Sequence, residues 1–411
     1  MTAGAPAPST DGLRLWSPFG RLVIARGVSA VGNSLGIVAM PLLVLAVGGE
    51  PTAVGAVLLA AMVPRIVFTL VGGVLADRGT PRQVMIGADL LAAASQLALA
   101  SLYATDRASV GVIAALAVVH GVGASMFMPA SASIVPSLVH KEELQRANAR
   151  VSVALSIGGI VGAGLGGVIA AAFGLQWALV IDAATFFVSA CLVFSLRPSP
   201  GWLDEPASEA EGEDASPSML ALVREGMREA FRRSWFAIAL VLHLVHNTAA
   251  AAWFVGAPLA ALEYFGGPEA WGLLSASSTA GGLLGGILAS KLTTAHPLRL
   301  SAVLFGATGF PMVLLREEAS VWLLVVVVFL ALAAATVGSV LWTTVVQQSY
   351  QPQVLARINA VDFSLAMVGA VLGFVLAGPL IALLGLTAAM TWLGIILLAT
   401  SLVVSAVLWR R

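Results

Sequence analysis

The chain has 411 residues, of which 59% are hydrophobic and 10% charged, with 21 Lys and Arg balanced by 21 Asp and Glu. Its mean hydropathy is +0.96, against about 25% charged residues in an ordinary soluble domain, so a water-facing fold is excluded. Zero net charge argues against nucleic acid or another highly charged partner. The single cysteine, Cys191, rules out an intramolecular disulfide.

Residues 1–17 are polar and rich in small side chains. They lack the pattern of a cleaved leader, so the first apolar segment is expected to stay as a span. Crossing the hydrocarbon takes about twenty apolar residues, and the pattern predicts twelve such segments. They run 19–47, 51–76, 83–104, 109–136, 148–173 and 176–197 in the first half, then 234–262, 270–291, 297–315, 319–348, 358–384 and 386–409. Gly48-Gly49-Glu50-Pro51, Gly79-Thr80-Pro81, Gly266-Gly267-Pro268 and Gln351-Pro352 mark turns between them. Lipid offers the backbone no hydrogen-bond partner, so each span is a helix.

Lys and Arg set the orientation. Arg107 and Arg316 fall on one side and Arg65 falls mid-membrane, leaving the other eighteen of the 21 on the side of the termini. Both termini are therefore expected to be cytoplasmic. The longest non-apolar stretch, 198–233, joins the halves. Its acidic first part (Asp204, Glu205, Glu209, Glu211, Glu213, Asp214) has the composition of a disordered linker. Its second part, 219–233, spaces Leu222, Met227 and Phe231 against Arg224, Arg228 and Arg232, as an amphipathic surface helix or a solvated linker helix would.

Arg146, Asn148, Ala149, Gly158, Gly162 and Gly167 recur as Arg357, Asn359, Ala360, Gly369, Gly373 and Gly378, at a constant offset of 211 (357 − 146, 378 − 167). One half of the chain is a copy of the other. The expected fold is an all-α polytopic membrane protein, twelve transmembrane helices in two parallel-repeat six-helix bundles. The domains are then 1–197, the linker 198–233 and 234–411. Gly158, Gly162, Gly166 and Gly167, with Gly369, Gly373 and Gly378 in the second copy, give each helix a face on which a neighbour can approach closely.

Charges inside a membrane are costly and mark functional or structural ion pairs. Arg65 lies twelve residues before Asp77, about 18 Å from the inner edge at 1.5 Å per residue, and needs a carboxylate or a water-filled cavity. Arg26, Asp89, Asp182 and Asp362 are further intramembrane charges. They read either as ion pairs that break on protonation or as fixed pairs that assemble helices, the second suiting Asp89 and Asp182 better. His120, His243 and His246 could carry a coupling proton near neutral pH, or could be packed side chains.

Gly73-Val-Leu-Ala-Asp77-Arg78 followed by Arg82 resembles the loop signature of the major facilitator superfamily, and Gly286-Ile-Leu-Ala-Ser290-Lys291 is a worn second copy. Met62-Val-Pro64-Arg65, Asp89, Phe127-Met-Pro129-Ala130 and Glu143-Leu-Gln-Arg146-Ala-Asn148 are similar to its transmembrane secretion effector branch, which includes enterobactin-type exporters and macrolide efflux proteins. Two stretches depart from the drug-antiporter pattern. Span five reads Gly162-Ala163-Gly164-Leu165-Gly166-Gly167 where a proline is usual, and span four has Ala117 before His120-Gly121 where an arginine is usual.

The resemblance implies a latch in which Asp77, with Gly73, Arg78 and Arg82, faces the start of span eleven at Arg357, where the positive helix end favours a carboxylate. The alternative is a charge pair that only sets topology. It also implies that the glycine faces meet between the halves, and that spans one, four, seven and ten line a cavity. Asn33, Met126, Phe127, Asn247, Trp253, Trp342 and Gln347 lie on those spans, and Met with flat aromatics suits a large, partly apolar substrate.

The expected protein is a monomeric secondary transporter of the inner or plasma membrane. It exports an amphipathic small molecule (natural product, siderophore or drug) by alternating access coupled to protons. A lipid or lysolipid flippase, or a non-transporting sensor or scaffold, is the alternative. The loops hold no phosphate-binding Gly-x-x-x-x-Gly-Lys-Ser/Thr and no nucleophile or metal-ligand cluster, so neither a cofactor nor enzymatic chemistry is expected.

Overall fold

The computed structural model describes residues 16–77, 81–135, 138–139, 143–196, 228 and 232–409. These form α1 (Pro18–Ala46), α2 (Pro51–Asp77), α3 (Pro81–Ala104), α4 (Val110–Ile134), α5 (Leu144–Phe173) and α6 (Leu175–Phe194) in the first half. The second half has α7 (Ser234–Tyr264), α8 (Pro268–Ala289), α9 (Pro297–Gly306), α10 (Gly309–Val313), α11 (Val321–Ser349), α12 (Pro352–Leu384) and α13 (Leu386–Trp409). No strand occurs among the described residues. Ten helices are long and apolar enough to cross a bilayer, and shorter apolar stretches at Pro51–Pro64 and Pro297–Val313 bring the crossings to twelve. This is a multi-pass membrane protein.

The helix ends follow from local chemistry. Proline opens α2, α3, α8, α9 and α12, where its missing N–H costs no hydrogen bond. Ser109 caps α4 by accepting from the Val112 N–H at 3.4 Å. Two ends differ from expectation. Helix α5 starts at Leu144 rather than 148, and α12 at Pro352 rather than 358, because the polar Arg-x-Asn-Ala segments continue each helix past the apolar run. The ninth crossing is broken into α9 and α10 at Ala307–Thr308.

Single glycines join α5 to α6 and α12 to α13. Gly174 has φ +95° and Gly385 φ +81°, a region that side-chain-bearing residues rarely adopt. They are again 211 apart, so the repeat extends to its turns.

The chain divides into two compact units, Met1–Ala39 with Ala60–Glu211 and Met40–Leu59 with Gly212–Arg411. In the first, Phe19, Leu22, Met85, Ile134, Val151 and Leu196 form a core drawn from α1, α3, α4 and α5 and the residue run after α6. In the second, Ala289, Val337 and Leu341 pack α8 against α11.

The glycine faces do bring helices close, but their partners lie within each unit. A Cβ on Gly158 would stand 2.5 Å from the Gly27 carbonyl oxygen of α1, and one on Gly162 would fall on the Val31 carbonyl. Gly166 lies on Leu35 and Val38 of the same helix, and Gly167 is buried. In the second unit, Gly369 meets the Leu244 carbonyl of α7 at 2.6 Å from its would-be Cβ, and Gly373 meets that of Thr248. The partner residues are four apart in both copies, so one helix-pair geometry is used twice. Gly378 instead packs on Thr52, where its Cβ would stand 2.5 Å from the backbone nitrogen. At 158 and 162 the nearest neighbour of the face is thus α1, and at 369 and 373 it is α7. Four-residue spacing fixes the face but not which neighbour fills it.

Candidate functional site

Asp362 of α12 is the centre of a polar cluster in the second unit. His243 of α7 places Nδ1 2.8 Å from Asp362 Oδ1, and Trp342 of α11 donates from Nε1 to Oδ2 at 2.8 Å. Both carboxylate oxygens are thus held by ring N–H groups from two other helices. The His243 side chain is 8% exposed and that of Asp362 23%, so the pair is shielded yet still reachable. The local packing orients it. The His243 ring sits edge-on to Trp342, centroids 4.5 Å apart, and to Phe305 at 4.9 Å. Phe236 stacks on the other part of Trp342 at 5.3 Å, with Trp235 and Tyr350 completing the aromatic group. Such a pair can hold or release a proton while the aromatic wall keeps the ring in place.

One turn further along α7, His246 is held by the helix break. The Thr308 hydroxyl donates to the Phe305 carbonyl at 3.0 Å, which leaves its oxygen to accept from His246 Nδ1 at 3.2 Å. Asn247 donates to the His243 carbonyl at 2.8 Å. Sequence reading proposed His243, His246, Asp362, Asn247 and Trp342 separately. The structure joins them and adds Phe305 and Phe236, for which the sequence held no signal beyond aromatic character, and Thr308, for which it held none.

The first unit contains a cavity of about 290 Å³ lined from α1, α3, α4, α5 and α6. Arg26, Asn33, Asp89, Phe127 and Phe186 line it. Arg26 is 8% exposed and Asp89 2%. Among the described residues neither charge meets an opposite one: the hydrogen bond of the Arg26 guanidinium runs to Met128 Sδ at 3.4 Å, and buried Asp89 Oδ2 has no partner. Ser189 of α6 places its hydroxyl beside the Asp89 carboxylate as the nearest polar side chain, yet its Oγ and Asp89 Oδ2 do not reach hydrogen-bond geometry.

The remaining intramembrane groups have structural surroundings. Asp182, fully buried, accepts from Gln96 Nε2 and lies against α1, where a Cβ on Gly36 would be 2.7 Å from Oδ2. His120 packs edge-on against Phe186, centroids 5.6 Å apart. Arg82 donates to the Val193 and Phe194 carbonyls and lies 5.1 Å over the Phe194 ring. It thus caps the C-terminal end of α6, where a cation suits both the bare carbonyls and the dipole. Arg21 does the same through Ser195. Met126 and Trp253 are half-buried and Gln347 is exposed; none joins a polar cluster among the described contacts. Arg78 lies outside the described residues, as do the side chains of Arg65, Gly73, Asp77 and Arg357 and most of the 198–233 linker, so the latch and linker readings rest on sequence.

Twelve membrane-crossing segments, six in each half and built on a sequence repeat, define a polytopic transporter fold. The profile of the Major Facilitator Superfamily matches residues 22–363, and the chain belongs to that family, whose members are transporters rather than enzymes. It is 27% identical over 389 residues to the multidrug efflux pump Tap of Mycolicibacterium fortuitum, covering 90% of this chain and 91% of that one. To the enterobactin exporter EntS of Citrobacter koseri it is 27% identical over 372 residues, covering 90% and 86%. Among solved structures, the nucleoside transporter NupG superposes with a TM-score of 0.72 at 13% identity, covering 96% of this chain and 98% of that one. An inward-facing bacterial homolog of the human lysosomal transporter Spinster gives 0.67 at 15%, covering 95% of each. These two likenesses concern the fold.

Proposed function

We propose that the protein is a proton-coupled exporter of amphipathic small molecules, working by alternating access in the cytoplasmic or plasma membrane as a monomer with both termini inside. The halves 1–197 and 234–411, tethered by 198–233, are the moving bodies. The observation that carries the reading is the His243–Asp362–Trp342 cluster, a titratable pair held by three membrane helices. Support for the direction comes from the multidrug pump and siderophore exporter to which the chain is similar over nine-tenths of its length.

The cluster suggests how coupling works. With Asp362 ionised, the His243 and Trp342 N–H groups both have an acceptor, and α7, α11 and α12 are bound together. Protonation of the carboxyl removes the charge that holds both donors. A charge-assisted hydrogen bond contributes about 1.5–3 kcal/mol, so loss of two is enough to shift a two-state helix arrangement.

The test is efflux of a panel of fluorescent amphipathic dyes from loaded proteoliposomes. An imposed gradient, acid on the receiving side, is expected to stimulate efflux of at least one dye, and an ionophore that collapses it should abolish the effect. Efflux indifferent to the gradient for every transported dye would remove the antiport claim.

A further inference from the structure

We infer that the cavity of the first unit is a binding site for an amphoteric ligand, one bearing both an anionic and a cationic group on an apolar aromatic body. The inference deepens the export reading by naming the substrate class, and rests on it only for the fate of the ligand.

The argument starts from unmet charge. A guanidinium carries five N–H donors, yet buried Arg26 has one described acceptor, a thioether sulfur, which is weak in that role. One carboxylate oxygen of the still more deeply buried Asp89, Oδ2, accepts nothing among the described residues, and the one polar side chain beside that carboxylate is the neutral hydroxyl of Ser189. Had the two side chains met, they would have satisfied one another, as buried opposite charges do. Instead no ion pair joins them, and both line the same space of about 290 Å³. A ligand anion on Arg26 and a ligand ammonium on Asp89 would complete both.

Neutrality selects among ligands. The cavity already holds one positive and one negative charge. A simple anion or a simple cation would leave a net charge in a half-open, largely apolar cavity, which is costly. A zwitterion leaves none. Phe127, Phe186 and Leu155 supply apolar walls for the body, and Asn33 offers a further polar contact. The cavity is lined by residues of one unit and the His243–Asp362 cluster is built from residues of the other, with none in common, so binding and coupling can be tested separately.

Equilibrium dialysis of the full-length protein in lipid nanodiscs tests this with three probes sharing one aromatic body: naphthylalanine (zwitterion), its methyl ester (cation) and its N-acetyl derivative (anion). Naphthylalanine is expected to bind at least about 10-fold more tightly than either, the worth of one charge-assisted hydrogen bond. Arg26→Gln should erase its advantage over the ester, and Asp89→Asn its advantage over the N-acetyl form. Arg26→Lys, which keeps the charge, should retain part of the preference. Because the wild-type ranking is itself the primary result, a variant that misfolds does not rescue the claim. Equal affinities for the three probes, or no binding of naphthylalanine, overturn it. Dye efflux is measured independently, so gradient-driven efflux with no charge selectivity would sink this inference alone, and selective binding without gradient-driven efflux would sink the export reading alone.

Discussion

Adding a single methyl group at Gly373 should loosen the second unit, whereas the same change at Gly87 should not. A Cβ at Gly373 would fall on the Thr248 carbonyl oxygen and stand 2.6 Å from the Ala251 Cβ and 3.1 Å from the Ala252 nitrogen. Two of those three atoms belong to the α7 backbone, which cannot turn aside as a flexible side chain can. Carbon atoms rest about 3.5–4.0 Å apart, so α7 and α12 must separate by roughly 1 Å along much of their shared face. Overpacking of this kind costs about 1–3 kcal/mol. Gly87, on the exposed face of α3, has nothing within 4 Å of its would-be Cβ. Ala there should be neutral or stabilising by up to about 1 kcal/mol, since glycine is the poorer helix former. The two variants are thus expected to shift stability in opposite directions. Mixed-micelle unfolding followed by tryptophan fluorescence reads the midpoint of each. Gly162→Ala should behave as Gly373→Ala does, because its Cβ meets the Val31 carbonyl in the same way. If Gly373→Ala unfolds at the wild-type midpoint, or together with Gly87→Ala, the close approach of α12 to α7 has been misread.

The Asp362 cluster makes its own demands. Asp362→Asn should abolish gradient stimulation of dye efflux. In unfolding titrations His243→Gln and Asp362→Asn should be non-additive by about 0.5–3 kcal/mol; simple additivity would mean that the two side chains do not interact. Arg82→Gln removes the cation from the end of α6 and should lower stability by about 0.3–1 kcal/mol while leaving transport intact. Complete loss of efflux in a stable Arg82→Gln protein would favour the latch reading instead. Arg65→Gln should abolish efflux in a protein that still inserts, as quantified by its amount in the alkali-washed membrane fraction; unchanged efflux would show that its charge is dispensable.

Hydropathy and a 211-residue repeat were enough to number the crossings and to place the glycines. In lipid, a helix is the one open solution for an apolar stretch of that length, so those features are properties of the one-dimensional pattern. The same pattern says little about rotation. These helices are apolar nearly all round, and such a helix shows no preferred face by periodicity. Helix rotation and neighbour choice decided that Gly158 and Gly369 serve α1 and α7, that Arg82 caps α6, and that His243, Trp342 and Asp362 share two hydrogen bonds. Their separation in sequence, 119 residues between His243 and Asp362, leaves no local trace of that meeting. The same holds for Arg26 and Asp89. Sequence identified two buried charges of opposite sign, and only the packing of α1 against α3 and α4 determined that they share a cavity without touching.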